Sequence, residues 1–457
     1  MSGRPQPHRQ RLRGLASALL AGLVWSWVAL ASSARAEPAK RELPDYDGRP
    51  PEAPDLGDVL LAIPRALLSP LYVVSEYVLR KPLGFLISEA ERAQLPEALY
   101  ELFVFGPDHQ AGIVPTAFID FGFKPSVGLF MFWNDAVFKG HDLSLHASTW
   151  GEDWLAASFS ERVRLGSSGA LGVHFSGTRR PDFAFYGLGP KSVQAARGRY
   201  GASILEAGAD GEWAGSRVVR LQGALGARSV NFHSAAEEFR ETLEARAAAG
   251  RYQLPPGYET GYTVLYNRLQ LAFDSRPKPA DGAASGVRLE LNAEQDSDVR
   301  RAPGAGYLRY GAILGGFYDL NDRGRVVSLS FAALFADPLA HRPVPFTELA
   351  ALGGTGLMRG FLPGRLLDRS ATAATLQYRW PIWVWLDGSI QLSVGNVFGP
   401  HLTGLRPELL RFSGTIGVQS GSPDNSLEVL VGLGSETFEH GAQLSSLRIV
   451  VGTNRGF

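Results

Sequence analysis

The stretch Leu352–Ile382, LGGTGLMRGFLPGRLLDRSATAATLQYRWPI, joins two different local structures. Its first half is a turn: glycine admits positive φ, and in Met358-Arg359-Gly360-Phe361 a guanidinium and an aromatic ring stand on either side of one. Its second half, ending in Tyr378-Arg379-Trp380-Pro381-Ile382, reads as a strand. On both sides, from about Gly112 to the C-terminus, polarity repeats every second residue. In Gly261–Arg276, Leu265, Leu269, Leu271 and Phe273 share one face, and Arg268, Gln270, Asp274 and Arg276 share the other. Ser285–Gln295 repeats the pattern, with Val287, Leu289 and Leu291 opposite Arg288, Glu290, Asn292 and Glu294.

Such alternation fits a lipid-facing apolar surface around a polar lumen. A soluble sandwich, whose apolar faces meet in a shared core, is the alternative. Composition favours the membrane. The chain has 53 glycines in 457 residues, above the usual ~7%, and many aromatic residues. After residue 36 no run of about 18 apolar residues offers a membrane helix. Backbone polar groups in lipid need internal partners, so a membrane protein of this composition must close its sheet into a barrel.

The runs lie near 112–123, 125–135, 140–150, 153–165, 169–178, 199–210, 213–231, 261–275, 285–296, 305–319, 324–336, 371–383, 387–398, 409–420, 425–435 and 444–457. The fold class expected is therefore all-β, an antiparallel transmembrane barrel of about sixteen strands over 112–457, with a short N-terminal helical segment. With both termini periplasmic, the long connections 179–198, 232–260, 337–370, 399–408 and 436–443 all follow odd-numbered strands and face outward. The Arg359 turn then lies on the sixth surface loop, 337–370.

Residues 1–36 read as a signal peptide. Arg4, Arg9, Arg11 and Arg13 precede an apolar Leu15–Leu30, and Ala34-Arg35-Ala36 supplies a cleavage motif before Glu37. An uncleaved anchor helix is the alternative. Residues 37–58 form a proline-rich linker. Residues 59–111 form an amphipathic helical segment: Ser69-Pro70 opens a helix with Leu67, Leu71, Val74 and Val78 at helical spacing, and Ser88 with Glu91 fits a capping box. It lies either on the periplasmic leaflet or against protein.

Lys+Arg and Asp+Glu are equal at 45 each, so no basic field recruits nucleic acid. Absence of cysteine excludes disulfides, thiolate metal sites and a lipoprotein attachment. The nine histidines show no paired ligand spacing, and no cofactor or metal is implied. Gly353-Gly354-Thr355-Gly356 lacks the rest of a dinucleotide or phosphate loop. His146-Ala147-Ser148 and His174-Phe175-Ser176 resemble the histidine and serine of outer-membrane lipases, but no nucleophile elbow or orienting partner accompanies them, and an enzyme is not expected.

The Met358-Arg359-Gly360-Phe361 turn and the strand after it resemble the signature of the BamA/TamA superfamily of outer-membrane barrels. There an R-G-F or R-G-Y tip folds back from a surface loop and pins itself to the barrel wall. Phe185-Tyr186-Gly187-Leu188-Gly189-Pro190 resembles that family's F-Y-G-x-G-N loop, and Asp274-Ser275-Arg276 its D-T-R element. Leu447, Ile449, Val451 and Phe457 resemble its terminal strand, the one read by the barrel-assembly machinery. The resemblance implies membrane insertion, assembly or translocation of protein or lipid clients, with outer-membrane lipids and the assembly machinery as partners and the N-terminal segment periplasmic. A passive pore or structural barrel is the alternative, and a barrel esterase a distant third.

Two departures stand out. Glu37–Ala111 has the length of one periplasmic POTRA repeat but not its strands. Ser393 occupies the place of the family acid that pairs with the loop arginine, and Gln377 another position where an acid is frequent. Arg359 is therefore expected to take hydration and neutral partners such as Ser393 and Gln377, or to borrow a lumen acid, Glu290 or Glu294.

Overall fold

Period-two alternation becomes a closed antiparallel barrel in the computed structural model, which describes residues 102–106, 108–277, 284–300, 306–320, 324–383, 386–420 and 427–453. Sixteen strands form its wall among these residues. The first eight are β1 Ala111–Asp120, β2 Ser126–Trp133, β3 His141–Thr149, β4 Leu155–Leu165, β5 Gly169–Phe185, β6 Gly198–Trp213, β7 Val219–Ser234 and β8 Tyr262–Asp274. The second eight are β9 Gly286–Asp298, β10 Gly306–Asp319, β11 Val326–Pro338, β12 Ser370–Trp383, β13 Leu386–Phe398, β14 Arg411–Ser420, β15 Leu427–Ser435 and β16 Leu444–Thr453. Each pairs with the next in sequence, and β16 returns to β1. Closure leaves no free edge of the kind that makes open sheets associate.

The two faces differ as the alternation requires. Leu265, Leu269, Leu271 and Phe273 on β8 stand on the outer surface, 41–54% exposed, while Tyr262, Val264 and Tyr266 at the surface-loop end point inward and are buried. Trp133 and Trp213 project outward where β2 and β6 end, at the end of the short turns, in the position of an interfacial aromatic girdle. No described helix is long and apolar enough to cross a membrane.

The expected strands are all present, with shifted ends. β5 runs on to Phe185, past the expected 178, because a register shift between Arg180 and Phe183 lets it bend and stay paired to β6. The expected 199–210 and 213–231 are Gly198–Trp213 and Val219–Ser234. The signal peptide, the linker and nearly all of the helical segment fall in residues 1–101, outside the described residues, as does Phe457. The described end of that segment departs from a helix: Val104–Phe105 is a short strand paired with Gly112 and Ala111 of β1.

Long connections gather at one end. The loop between β7 and β8 carries one helix, α1 Leu243–Ala248, whose Thr242 hydroxyl accepts from the Ala245 N–H at 3.1 Å. The loop between β11 and β12, the sixth on this side, holds a small hairpin, Ala350–Leu352 with Leu366–Asp368. Phe185, Tyr200, Phe232, Tyr258 and Phe346 pack beneath these loops as an aromatic cap.

Because the chain has no native cysteine, single cysteines report topology directly. With Arg342→Cys in the sixth loop, a membrane-impermeant maleimide should label intact cells. With Ser167→Cys, in the turn after β4, labelling should require a permeabilised envelope. The opposite pattern would invert the barrel.

Candidate functional site: the sixth loop and the seam

The sixth loop folds into the barrel, and its tip rests on the inner face of β14–β16. Met358 lies in the left-handed region, φ 57°, a conformation uncommon outside glycine. Its side chain packs with Leu352, Phe361, Leu366, Ala371 and Val397, which hold it there. The Gly360 N–H donates to Ser413 Oγ on β14 at 3.0 Å, and the Ser446 hydroxyl on β16 donates to the Gly360 carbonyl at 3.1 Å. Between them β15 presents glycines. A Cβ on Gly432 would lie 2.7 Å from Gly360 Cα, and one on Gly434 would lie 2.5 Å from the Phe361 ring, so only a bare backbone admits the tip.

Arg359 is ion-paired to Glu428 of β15, with both side chains nearly buried. This corrects the expectation of hydration and neutral partners. Ser393 instead shares a 2.9 Å hydrogen bond with Thr375, and Glu290 pairs with Arg288 at 2.5 Å. Gln377 stands in the β12–β13 ladder opposite Gln391. The reason is position around the barrel: Arg359 and Gly360 meet β14, β15 and β16, whereas Gln377 and Ser393 belong to β12 and β13, which the tip meets through Met358. A guanidinium buried that far round needs a counter-charge from the wall it touches. The sequence does carry a trace of it. Glu428 is the inward-parity acid of a strand whose other inward residues are Leu430, Gly432 and Gly434.

A second anchor holds the loop to the opposite wall. Glu348, in the short turn Phe346–Glu348, accepts from Arg228 Nη1 of β7 at 3.0 Å, Arg309 Nη1 of β10 at 2.8 Å and the Tyr262 hydroxyl of β8 at 2.5 Å. Glu294, offered above as an acid for Arg359, belongs to this cluster, where Arg228, Arg268 and Arg309 all reach it. Glu206 and buried Asp296 complete the cluster. Between Glu348 and Gly360 the loop therefore spans the lumen from β7–β10 to β14–β16.

A third contact joins it to the Phe185–Pro190 loop. Buried Arg365 donates to Ser192 Oγ at 2.7 Å and stacks over Tyr186. Burial and the nearby Arg411 pull its guanidinium down to about 10. Arg411 donates to the Pro190 and Ser192 carbonyls at 3.0 and 2.7 Å and pairs with Glu436 at 2.7 Å. Asn396 also donates to the Pro190 carbonyl, at 3.0 Å. At the other end, Arg276 pairs with Asp274 at 2.6 Å and stacks on Phe317.

One residue ties the tip to the barrel's closure. Arg448 of β16 binds the Asp120 carboxylate of β1 at 2.8 Å, and its Nη1 donates to the carbonyls of Arg359, at 3.1 Å, and Gly354. Leu447, Ile449 and Val451 alternate with it on the outer face. The two histidines singled out above are placed otherwise. His174 binds Asp210 at 3.2 Å through Nδ1, an orienting partner the sequence did not reveal, but its Nε2 meets the Tyr266 hydroxyl at 3.0 Å rather than a serine. His146 Nε2 meets Thr116 Oγ1 at 3.1 Å.

Arg359→Ala and Glu428→Ala should each destabilise the seated loop by about 3–5 kcal/mol, because each strands a buried charge. The double variant should lose little more than either single one. Denaturant titration in detergent, with proteolysis between Arg365 and Arg369 as second readout, measures this. Additive losses would mean the pair does not hold the loop, and Ser393→Asp should give no rescue.

No family model matches the sequence, and no curated protein matches it. Solved structures are similar in fold. BamA from Haemophilus ducreyi lacking POTRA domains 1-3 aligns with a TM-score of 0.53 at 14% identity, over 75% of this chain and 70% of that one. CdiB from Acinetobacter baumannii and CdiB from Escherichia coli each align at 0.48 and 11% identity, over 75% and 74% of this chain but only 59% and 62% of theirs. With sixteen strands around an inserted sixth loop, the chain has the fold of a BamA-type barrel.

Proposed function

We propose that this chain is an outer-membrane barrel that assists insertion, assembly or translocation of protein or lipid clients through a seam between β1 and β16. The observation that carries the reading is how the seam is closed: buried Arg448 of β16 binds Asp120 of β1 across it and the sixth-loop tip beside it. Among the described residues, which end at Thr453, β16 pairs with β1 at Val450–Asp120, Val451–Ile119 and Gly452–Phe118, and the Phe121 N–H donates to the Ile449 carbonyl at 2.9 Å. The seam joins the first and last wall strands, which no hairpin turn connects, so it is where the ring can part without breaking a hairpin. A separated β1 edge would offer unpaired N–H and C=O groups to an incoming strand. The loop crossing from β7–β10 to β14–β16 fills the path a passive pore needs, which weighs against that alternative.

On this reading the bilayer surrounds the outer face, residues 1–101 include a signal peptide and a periplasmic segment, and the last strand, Leu447, Ile449, Val451 and Phe457, is read by the assembly machinery. Deleting Phe457 should then lower the yield of heat-modifiable barrel while export continues. Normal barrel yield from the truncated chain would argue against recognition of this strand.

The seam is tested with a crosslink. Ile119→Cys with Val451→Cys places two thiols on paired neighbours in a chain without others. In liposomes the reduced variant should speed the folding of a urea-unfolded small outer-membrane barrel protein, and oxidation should abolish the effect. Acceleration that survives the crosslink would reject the seam, and steady conductance in both states would favour a pore.

A further inference from the structure

The outer wall across β2–β6 is indented. The register aligns Leu129, Ala147, Ala157, Gly177 and Leu205 in one row, so three small residues lie between two leucines that are 51% and 53% exposed. The next row toward the short turns carries Leu145, Phe159 and Phe175, which raise a sill under the hollow. The next row toward the surface loops carries Thr149, Leu155 and Arg179. The hollow has a volume of about 810 Å³.

Two observations say what fills it. Its floor has the parity of the lipid-facing side chains, and in a bilayer an apolar hollow on that face is occupied by hydrocarbon, since water there would lack polar partners. Its rim carries a charge. Arg179 faces outward and exposed and makes no ion pair among the described residues, whereas its neighbour Arg180 binds Asp182 at 3.0 Å. Arg179 stands opposite Leu155, whose partner Thr149 is the last residue of β3, so the guanidinium lies level with the tip of the β3–β4 connection, at headgroup height. A guanidinium presents the paired donors that match phosphate oxygens.

We propose that this hollow binds one acyl chain of a phosphate-bearing lipid in the leaflet nearest the surface loops, with Arg179 on the phosphate. The inference rests on the reading of the barrel as membrane-embedded. It assigns a lipid site to β2–β6, centred on β4, the fourth strand from the seam, on the half of the wall that begins at β1.

The test uses the full-length mature protein with 1-palmitoyl-2-oleoyl phosphatidic acid as the probe and a diacylglycerol of the same chains as the control. The protein should first float with phosphatidylcholine vesicles. Native mass spectrometry from detergent should then show one phosphatidic acid retained at collision energies that strip the diacylglycerol. Arg179→Gln should lose that retention by removing the phosphate contact, and Ala157→Phe by filling the floor, with both variants heat-modifiable like the parent. A floating protein that retains no phosphatidic acid, or variants that retain it as the parent does, would overturn the site alone. Failure to float would overturn the site together with the membrane reading.

Discussion

Arg448 occupies the point on which this architecture depends, because one guanidinium meets both the edge that closes the barrel and the loop that crosses its interior. Its contact with Asp120 joins the first and last strands of the wall, and its contacts with the Arg359 and Gly354 carbonyls tie the loop tip to the same strand. Arg448 and Asp120 are both buried, so neither charge can exchange its partner for water without structural change. Seam and loop are thereby joined through one side chain, and displacement of the tip removes two of the groups that position the Asp120 partner.

The interior achieves by ion pairs what a soluble fold achieves by apolar burial. The apolar side chains of the strands stand on the outer surface, so the lumen is where charged residues converge. Glu348 on one wall and Arg359 on the other convert an otherwise exposed connection into a beam between strands eight apart around the ring. The aromatic cap of Phe185, Tyr200 and Phe346 closes the space above it. Loss of either anchor leaves a charge on the wall as well as a loose loop, which makes the attachment more specific than apolar packing would be.

Strand number, facing and loop order were legible in the chain because parity survives any closure: Leu265 and Phe273 face out whatever the barrel's circumference. Partners across the lumen were not legible, because parity gives the direction of a side chain and leaves its angle around the ring unspecified. Ser393 and Gln377 have inward parity, as does Glu428, yet the tip lies against β14–β16 and meets only the last. The two inward glycines of β15 were the overlooked sign, since they mark where another backbone approaches. Glu348 was missed for a related reason: it lies in a loop, where no period constrains it, and its significance comes from Arg228 and Arg309 on strands far away in sequence.

The three anchoring contacts differ greatly in the chain they enclose. Arg359 and Glu428 are 69 residues apart, Arg228 and Glu348 are 120 apart, and Arg448 and Asp120 are 328 apart. Loop-closure entropy rises with the logarithm of that span, so the last contact is harder to form than the first by about 1.4 kcal/mol on length alone. The seat for the tip also needs β14, β15 and β16, the last strands the chain supplies, whereas the wall that receives Glu348 comes from β7–β10. Glu348 can therefore hold the loop inside a still-open sheet, and the Arg448 contact, which needs both ends of the sheet together, belongs to the closing step, so the beam is a template around which the ring is completed.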